Sequence, residues 1–201
     1  MLTISIQAGG ESRRMGQDKA LLPFIGQPLI QRLVTRLRPI ANEIIISANK
    51  PEAFGFLGLP LFPDEIPRGA LGGLYTAIKK ASHPFVAVIA CDMPFANPTL
   101  LEYQLRLLQD GNDDIAIPIN AAGYEPLHAV YRRETCLPAI ERALDHDQWK
   151  IISWFPNVNV RTLLPEECRI YDPQALAFWN VNTPQEFSEA EIIARKENGR
   201  V

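Results

Sequence analysis

The sequence predicts a single three-layer α/β domain, residues 1–201, built on a mostly parallel sheet. Three observations carry that prediction. Short β-branched or apolar runs alternate with stretches of helical periodicity along the chain. One of the runs, PFVAVIAC at residues 84–91, is uninterrupted by charge, as a strand covered on both faces of a parallel sheet should be. No repeat, low-complexity linker or shift in composition divides the chain, and 201 residues at 47% apolar content suffice for one ordinary core.

Taken in order, LTISIQAG opens the chain as a strand and stops at Gly9 and Gly10, where a loop begins. From Pro28, PLIQRLVTRL repeats Leu29, Leu33 and Leu37 with Ile30 and Val34 beside them, which is one face of a helix. EIIIS is the second strand, and GLYTAIKKA, starting at Gly73, the next helix. The charge-free strand follows and ends in CDMP. A helix is expected from about Pro98 to Gln109, strands at DIAIPI and LHAVYR, and helices around ETCLPAIERAL and TPQEFSEAEIIARK. In the last of these, Thr183 is the expected N-cap and Pro184 the first helical residue. Sheets wound in this way gather ligands at the carboxyl ends of their strands.

Composition narrows the function. Lys and Arg total 20 against 23 Asp and Glu, so the overall basic field that non-specific nucleic-acid binding relies on is missing, and nucleic acid is not an expected partner. Cys91, Cys136 and Cys168 are too far apart for a C-x-x-C knuckle and odd in number, which fits a reducing cytoplasm. The chain shows no basic n-region followed by an apolar h-region, and no apolar run near the roughly 18 residues that span a bilayer. A cytoplasmic protein that engages no membrane is therefore expected.

The most informative stretch is QAGGESRRMGQDKALLP, residues 7–23. A strand that runs into glycines and then into cations suits a polyphosphate, because glycine lets backbone N–H groups approach the anion and the cations neutralise it. Gly9, Gly10, Arg14, Met15, Gly16 and Lys19 all fall within eleven residues. The spacing is neither Walker A nor the G-x-G-x-x-G dinucleotide fingerprint.

Two acidic positions stand out. Asp92 ends the most apolar strand, and there it either caps a turn or holds a metal. Asp64, with Glu65 between Pro63 and Pro67, is either a solvated turn or part of a ligand site; the RGALGGL that follows leads into a helix N-terminus, where free N–H groups favour acceptor atoms. Asn180 and Asn182, two apart on an expected strand, share one face and either bind a polar ligand or serve a turn. His83, His128 and His146 are too scattered for a ligand set, and Trp149, Trp154, Ile151, Ile152 and Phe155 are expected to pack as a hydrophobic clamp.

The segment AGGESRRMGQDKALLPFIGQPLI resembles the signature of the nucleotidyltransferases with a Rossmann-like sheet, and most closely that of the MobA-like family, the molybdenum cofactor guanylyltransferases. PDEIPRGALGGL, CDMPF, EPLHAVYR and WNVNTPQEF resemble further family segments in the same order, from about Ile6 to Phe187. The resemblance implies a fold of the nucleotide-diphospho-sugar transferase type and transfer of GMP from GTP to molybdenum-carrying molybdopterin, with Mg²⁺ as cofactor. It implies catalytic roles for Arg14, Lys19 and Asp92, with Asp92 as metal ligand. Gln7, Ala8, Gly9, Gly10, Lys19, Ser47, Asp64, Gly72 and Asp92 would form the nucleotide site, and Glu125, His128, Asn180 and Asn182 the molybdopterin side. Further implied partners are molybdopterin-synthesis proteins and apo-molybdoenzymes. Two residues depart from the family pattern: Gln7 where leucine is usual, and Ser47 where related enzymes often carry asparagine. The alternatives are the same chemistry with CTP or with a sugar or polyol phosphate as acceptor, and a catalytically silent nucleotide-binding protein.

Overall fold

The computed structural model describes residues 1–8, 18–66 and 69–198. Its first strand, β1 (Leu2–Gln7), is followed after a 3₁₀ turn at Lys19–Leu21 by the small hairpin β2 (Pro23–Phe24) and β3 (Gln27–Pro28). Ile25 and Gly26 both take positive φ, 48° and 81°, as a two-residue hairpin turn demands. The strain at Ile25 is held by its N–H, which donates to Glu191 at 2.8 Å. Next come α1 (Leu29–Leu37), β4 (Glu43–Ser47), β5 (Leu61–Phe62), α2 (Gly69–Lys80), β6 (Phe85–Ala90) and α3 (Pro98–Asp110). The second half of the chain adds β7 (Ile115–Asn120), β8 (Gly123–Tyr124), β9 (His128–Arg132), α4 (Arg133–Asp145), β10 (Val160–Leu163), α5 (Pro165–Tyr171) and α6 (Pro184–Asn198).

Among the described residues the main sheet runs β10-β7-β9-β6-β1-β4-β5, with β8 attached to β7. The pairs β1–β4, β1–β6, β4–β5 and β7–β10 are parallel, while β9 lies antiparallel to both its neighbours. The sheet is thus mostly parallel with one reversed strand in its interior. Alternation along the central strands sends Leu2, Ile4, Ile6, Ile44, Ile46, Ala87 and Ile89 to one face, where α1 and α3 cover them with Leu33, Leu37, Leu100 and Leu101. Val86, Val88, Ile115, Ile117 and Tyr131 point the other way and meet Leu71, Leu74, Ile78, Ala139 and Ile140 of α2 and α4. Every residue of β6 is buried, the outcome its charge-free sequence required.

A third cluster, made of Phe24, Leu29, Phe95, Val181, Ala190 and Ala194, docks α6 beside the hairpin. Trp154 is fully buried, packs edge-on against Phe155 and donates its indole N–H to the Ile151 carbonyl at 2.9 Å, so this part of the aromatic clamp serves the core. Ile152 stands outside the clamp, exposed to solvent. Asn180 and Asn182 do not lie on a strand. Their segment is irregular, because its backbone pairs with a loop: the Val181 N–H donates to the Asp92 carbonyl at 2.9 Å.

Candidate active site

The carboxyl ends of β6, β1, β4 and β5 lie side by side through the row Ala90, Gln7, Ser47 and Phe62, which are register partners in that order. Hydrogen bonds carry the ladder past the strands. Ala8 N–H donates to the Ser47 carbonyl at 2.8 Å, Cys91 N–H to the Gln7 carbonyl at 3.0 Å, and Ala48 N–H to the Phe62 carbonyl at 3.0 Å. The residues that follow this row therefore emerge from a fixed edge.

Asp92 is two residues past β6, in a turn where Met93 N–H returns to the Ala90 carbonyl. Lys19 begins the 3₁₀ turn that Asp18 caps by accepting the Ala20 N–H at 3.0 Å, with Ala20 buried beneath it. The Lys19 ammonium donates to Asp92 Oδ2 at 3.0 Å, to Asn182 Oδ1 at 2.9 Å and to the Val181 carbonyl at 3.2 Å. The side chains of Lys19 and Asp92 are only 15% and 20% exposed, so their attraction is less screened by water than that of a surface pair. Asn182 is placed by the start of α6. Glu186 accepts the N–H groups of Asn182 and Thr183 at 2.7 and 2.9 Å, and Thr183 Oγ1 accepts the Glu186 N–H at 3.2 Å, which is a complete capping box.

This cluster presents a carboxylate, a side-chain amide oxygen and a backbone carbonyl around one cation. Such an oxygen-only donor set fits Mg²⁺, which binds through one or two carboxylates and completes its shell with water and phosphate. No group of three or more His, Cys, Asp or Glu able to hold a metal exists among the described residues; the carboxylate in contact with Lys19 here is Asp92.

Asp64 lies two residues beyond β5 on the same edge. Burial pushes its carboxyl pKa up, and its carboxylate has no partner among the described residues. Glu65 beside it is turned away into ion pairs with Lys79 and Lys80, and its N–H is pinned to Thr76 Oγ1. Gly72 has a packing reason to be glycine: a Cβ there would stand 2.1 Å from the Ile66 carbonyl oxygen. Gly9, Gly10 and Arg14 lie outside the described residues.

The residues expected on the acceptor side are less uniform. Glu125 is half-buried, bonded to the Asn120 amide at 2.5 Å, and its pKa is raised by burial. Asn180 donates to its near neighbour, the Phe178 carbonyl, at 3.2 Å, so it does not join Asn182 on Lys19. His128 is fully buried under the edge of Phe178 and points inward. Its Nε2 accepts the Asn97 N–H at 3.0 Å, and burial lowers its pKa to about 4. Three participants were not foreseen: the Val181 carbonyl, Glu186 and Gly73, whose Cα faces the Gln7 amide. The T-P-Q-E spacing at residues 183–186 was the available signal for Glu186.

Fold and site together define a nucleotidyltransferase of the nucleotide-diphospho-sugar transferase fold. The profile of the family described as MobA-like NTP transferase domain matches residues 4–159, and the chain belongs to that family. It is 39% identical over 196 residues to the probable molybdenum cofactor guanylyltransferase of Pelotomaculum thermopropionicum, covering 97% of this chain and 93% of the relative. It is 37% identical to the corresponding probable guanylyltransferase of Carboxydothermus hydrogenoformans, covering 98% of each. Among solved structures, the molybdopterin-guanine dinucleotide biosynthesis protein A of Archaeoglobus fulgidus superposes with a TM-score of 0.83 at 26% identity, covering 96% of this chain and 99% of that one.

Proposed function

We propose that this protein transfers GMP from GTP to the terminal phosphate of molybdenum-carrying molybdopterin, forming the molybdopterin guanine dinucleotide cofactor and releasing pyrophosphate. The observation that carries the reading is the meeting of Lys19, Asp92 and Asn182 at the carboxyl edge of the sheet, in a chain similar over nearly its whole length to guanylyltransferases. An oxygen of the acceptor phosphate attacks Pα of GTP in line; the new Pα–O bond forms as the bond from Pα to the β-phosphate oxygen breaks, and that oxygen leaves with pyrophosphate. No side-chain nucleophile is needed, so the protein contributes alignment and charge.

Lys19, together with Arg14, neutralises the phosphates as negative charge builds on the leaving group. Asp92, with the Asn182 amide oxygen near it, would hold Mg²⁺, which when bound shields phosphate charge and favours attack at phosphorus. Ala8, Gly9, Gly10 and Asp64 would seat the guanosine, with Gln7, Ser47 and Gly72 on the same nucleotide side. Asn182 and Glu125 stand toward molybdopterin. His128 and Asn180 support that side indirectly, His128 by fixing the N–H of Asn97 at the end of the Asp92 loop. The reaction belongs in the cytoplasm, where molybdopterin-synthesis proteins deliver the acceptor and apo-molybdoenzymes take the product. No helix among the described residues is long and apolar enough to cross a membrane.

The test is pyrophosphate release with each of the four nucleoside triphosphates, with and without molybdopterin. Release that requires both GTP and molybdopterin is the expected result. Equal release with CTP, or release indifferent to molybdopterin, overturns the assignment.

A further inference from the structure

Gln7 ends β1 with its backbone locked, since its carbonyl accepts the Cys91 N–H. Alternation along the strand turns its side chain to the α2 face, where the amide lies against Gly73 with Oε1 nearest. A Cβ at that glycine would come within 2.9 Å of Gln7 Oε1 and 3.3 Å of its Cδ, so a glycine is what leaves the amide its room. Gln7 is partly exposed as a residue, yet its Nε2 is buried and has no hydrogen-bond partner among the described residues. Its register partner Ser47 is in the same condition, with Oγ buried and unpaired. One strand further along the edge, just past β5, is the unpaired, half-buried carboxylate of Asp64.

Buried polar groups are nearly always paired, and the two unpaired ones on this edge, Gln7 Nε2 and Ser47 Oγ, with the partly exposed Asp64 carboxylate beside them, indicate a missing polar partner. Amide and hydroxyl offer donors, and the carboxylate offers only acceptors. The Watson–Crick edge of guanine is complementary to that set, with an acceptor at O6 and donors at N1 and N2, whereas adenine carries a donor at position 6. Rotation about the terminal torsion of a glutamine is broad and roughly two-fold, so the amide can present its N–H₂ outward without leaving Gly73.

We propose that the Gln7 side-chain amide, seated on Gly73, donates to the 6-oxo group of the guanine and is a base-selecting contact of this enzyme. The proposal rests on the guanylyl-transfer reading and assigns one atom of it. Gln7→Leu keeps the size of the side chain and removes the donor; Gln7→Glu keeps the shape and replaces the donor with an acceptor. Equilibrium binding in Mg²⁺ is measured for GTP, for the triphosphate of 2,6-diaminopurine riboside, in which an amine replaces O6, and for CTP and ATP. Wild type is expected to favour GTP. Gln7→Leu is expected to lose about five- to tenfold in GTP affinity, and Gln7→Glu to shift the ratio of GTP to the diaminopurine nucleotide by at least about tenfold toward the amine. Variants that bind GTP within about twofold of a GTP-preferring wild type, with that ratio unchanged, overturn the Gln7 contact and leave the guanylyl assignment standing. A wild type with no preference for GTP over CTP and ATP overturns both.

Discussion

His128 makes the acid side of the stability curve predictable. Its ring has no exposed surface, its Nε2 is committed as an acceptor for the Asn97 N–H, and its Nδ1 is buried without a partner. A proton added to Nε2 would face the N–H it now accepts, and the resulting charge would be buried without a counter-ion. Burial accordingly lowers the pKa from 6.5 to about 4. The unfolded chain thus binds this proton more readily than the folded one, and stability falls as the pH drops through 6.5, the loss levelling off near 4. The whole shift corresponds to about 3 kcal/mol, of which about 2 kcal/mol is lost between pH 7 and pH 5. Asp64 and Glu125, whose pKa values are raised by burial, act in the opposite sense. A comparison with His128→Gln, which keeps an acceptor and does not titrate, removes their contribution. In urea titrations from pH 8 to pH 4.5, the stability of wild type relative to His128→Gln should be nearly level above pH 7 and fall by about 1.2 kcal/mol per unit below 6. A difference that stays constant across the range would mean His128 is not held neutral in the core.

Three further substitutions address the site and its support. Asp92→Asn should lower Mg²⁺-dependent pyrophosphate release by orders of magnitude while the metal-free melting temperature moves by no more than about 4 °C, since Lys19 keeps the Val181 and Asn182 oxygens. Near-normal activity would end the metal-ligand role, and a large loss of stability would make Asp92 structural. Lys19→Ala should reduce turnover roughly 10²- to 10³-fold and GTP affinity much less, because its charge counts most as pyrophosphate leaves; unchanged turnover in steady-state kinetics would remove it from the phosphate site. Gly72→Ala drives a methyl group to 2.1 Å from a backbone oxygen and should lower the melting temperature by about 10 °C by calorimetry, whereas an unchanged melt would mean the 63–66 loop yields freely.

What the sequence revealed depended on how local each signal was. The apolar runs of β1, β4 and β6 and the 3.6-residue repeat of α1 are written in consecutive residues, and those elements fall where they are expected. The reversal of β9 is not local: LHAVYR reads the same in either direction, and its orientation follows from the connection to β7 through the β8 hairpin. β10 and α5 went unforeseen because VRTL is four residues long and PEECRIY shows only two turns of weak pattern. WNVN looked like a strand because its composition suits one, but the edge it meets is a loop. In the site, residue identity identified Lys19 and Asp92 as chemistry-bearing, while their meeting across 73 positions needed the sheet. His128 was grouped with the acceptor side by its neighbours in sequence, and only the fold shows its ring turned inward under Phe178.

Two of the oxygens around the Lys19 ammonium come from far along the polypeptide: Val181 and Asn182 lie 162 and 163 positions after the lysine. At synthesis rates of roughly 5–20 residues per second, on the order of ten seconds or more separate the making of the lysine from that of these two partners. By residue 163 every strand of the main sheet has been translated, but the capping box that orients Asn182 has not. The residues of the scaffold are thus made before those of the charge cluster, and the cluster is complete only with the segment that leads into α6, which packs on Phe24 and Leu29. Chains that terminate before that helix would carry the sheet strands with the Lys19 cluster incomplete.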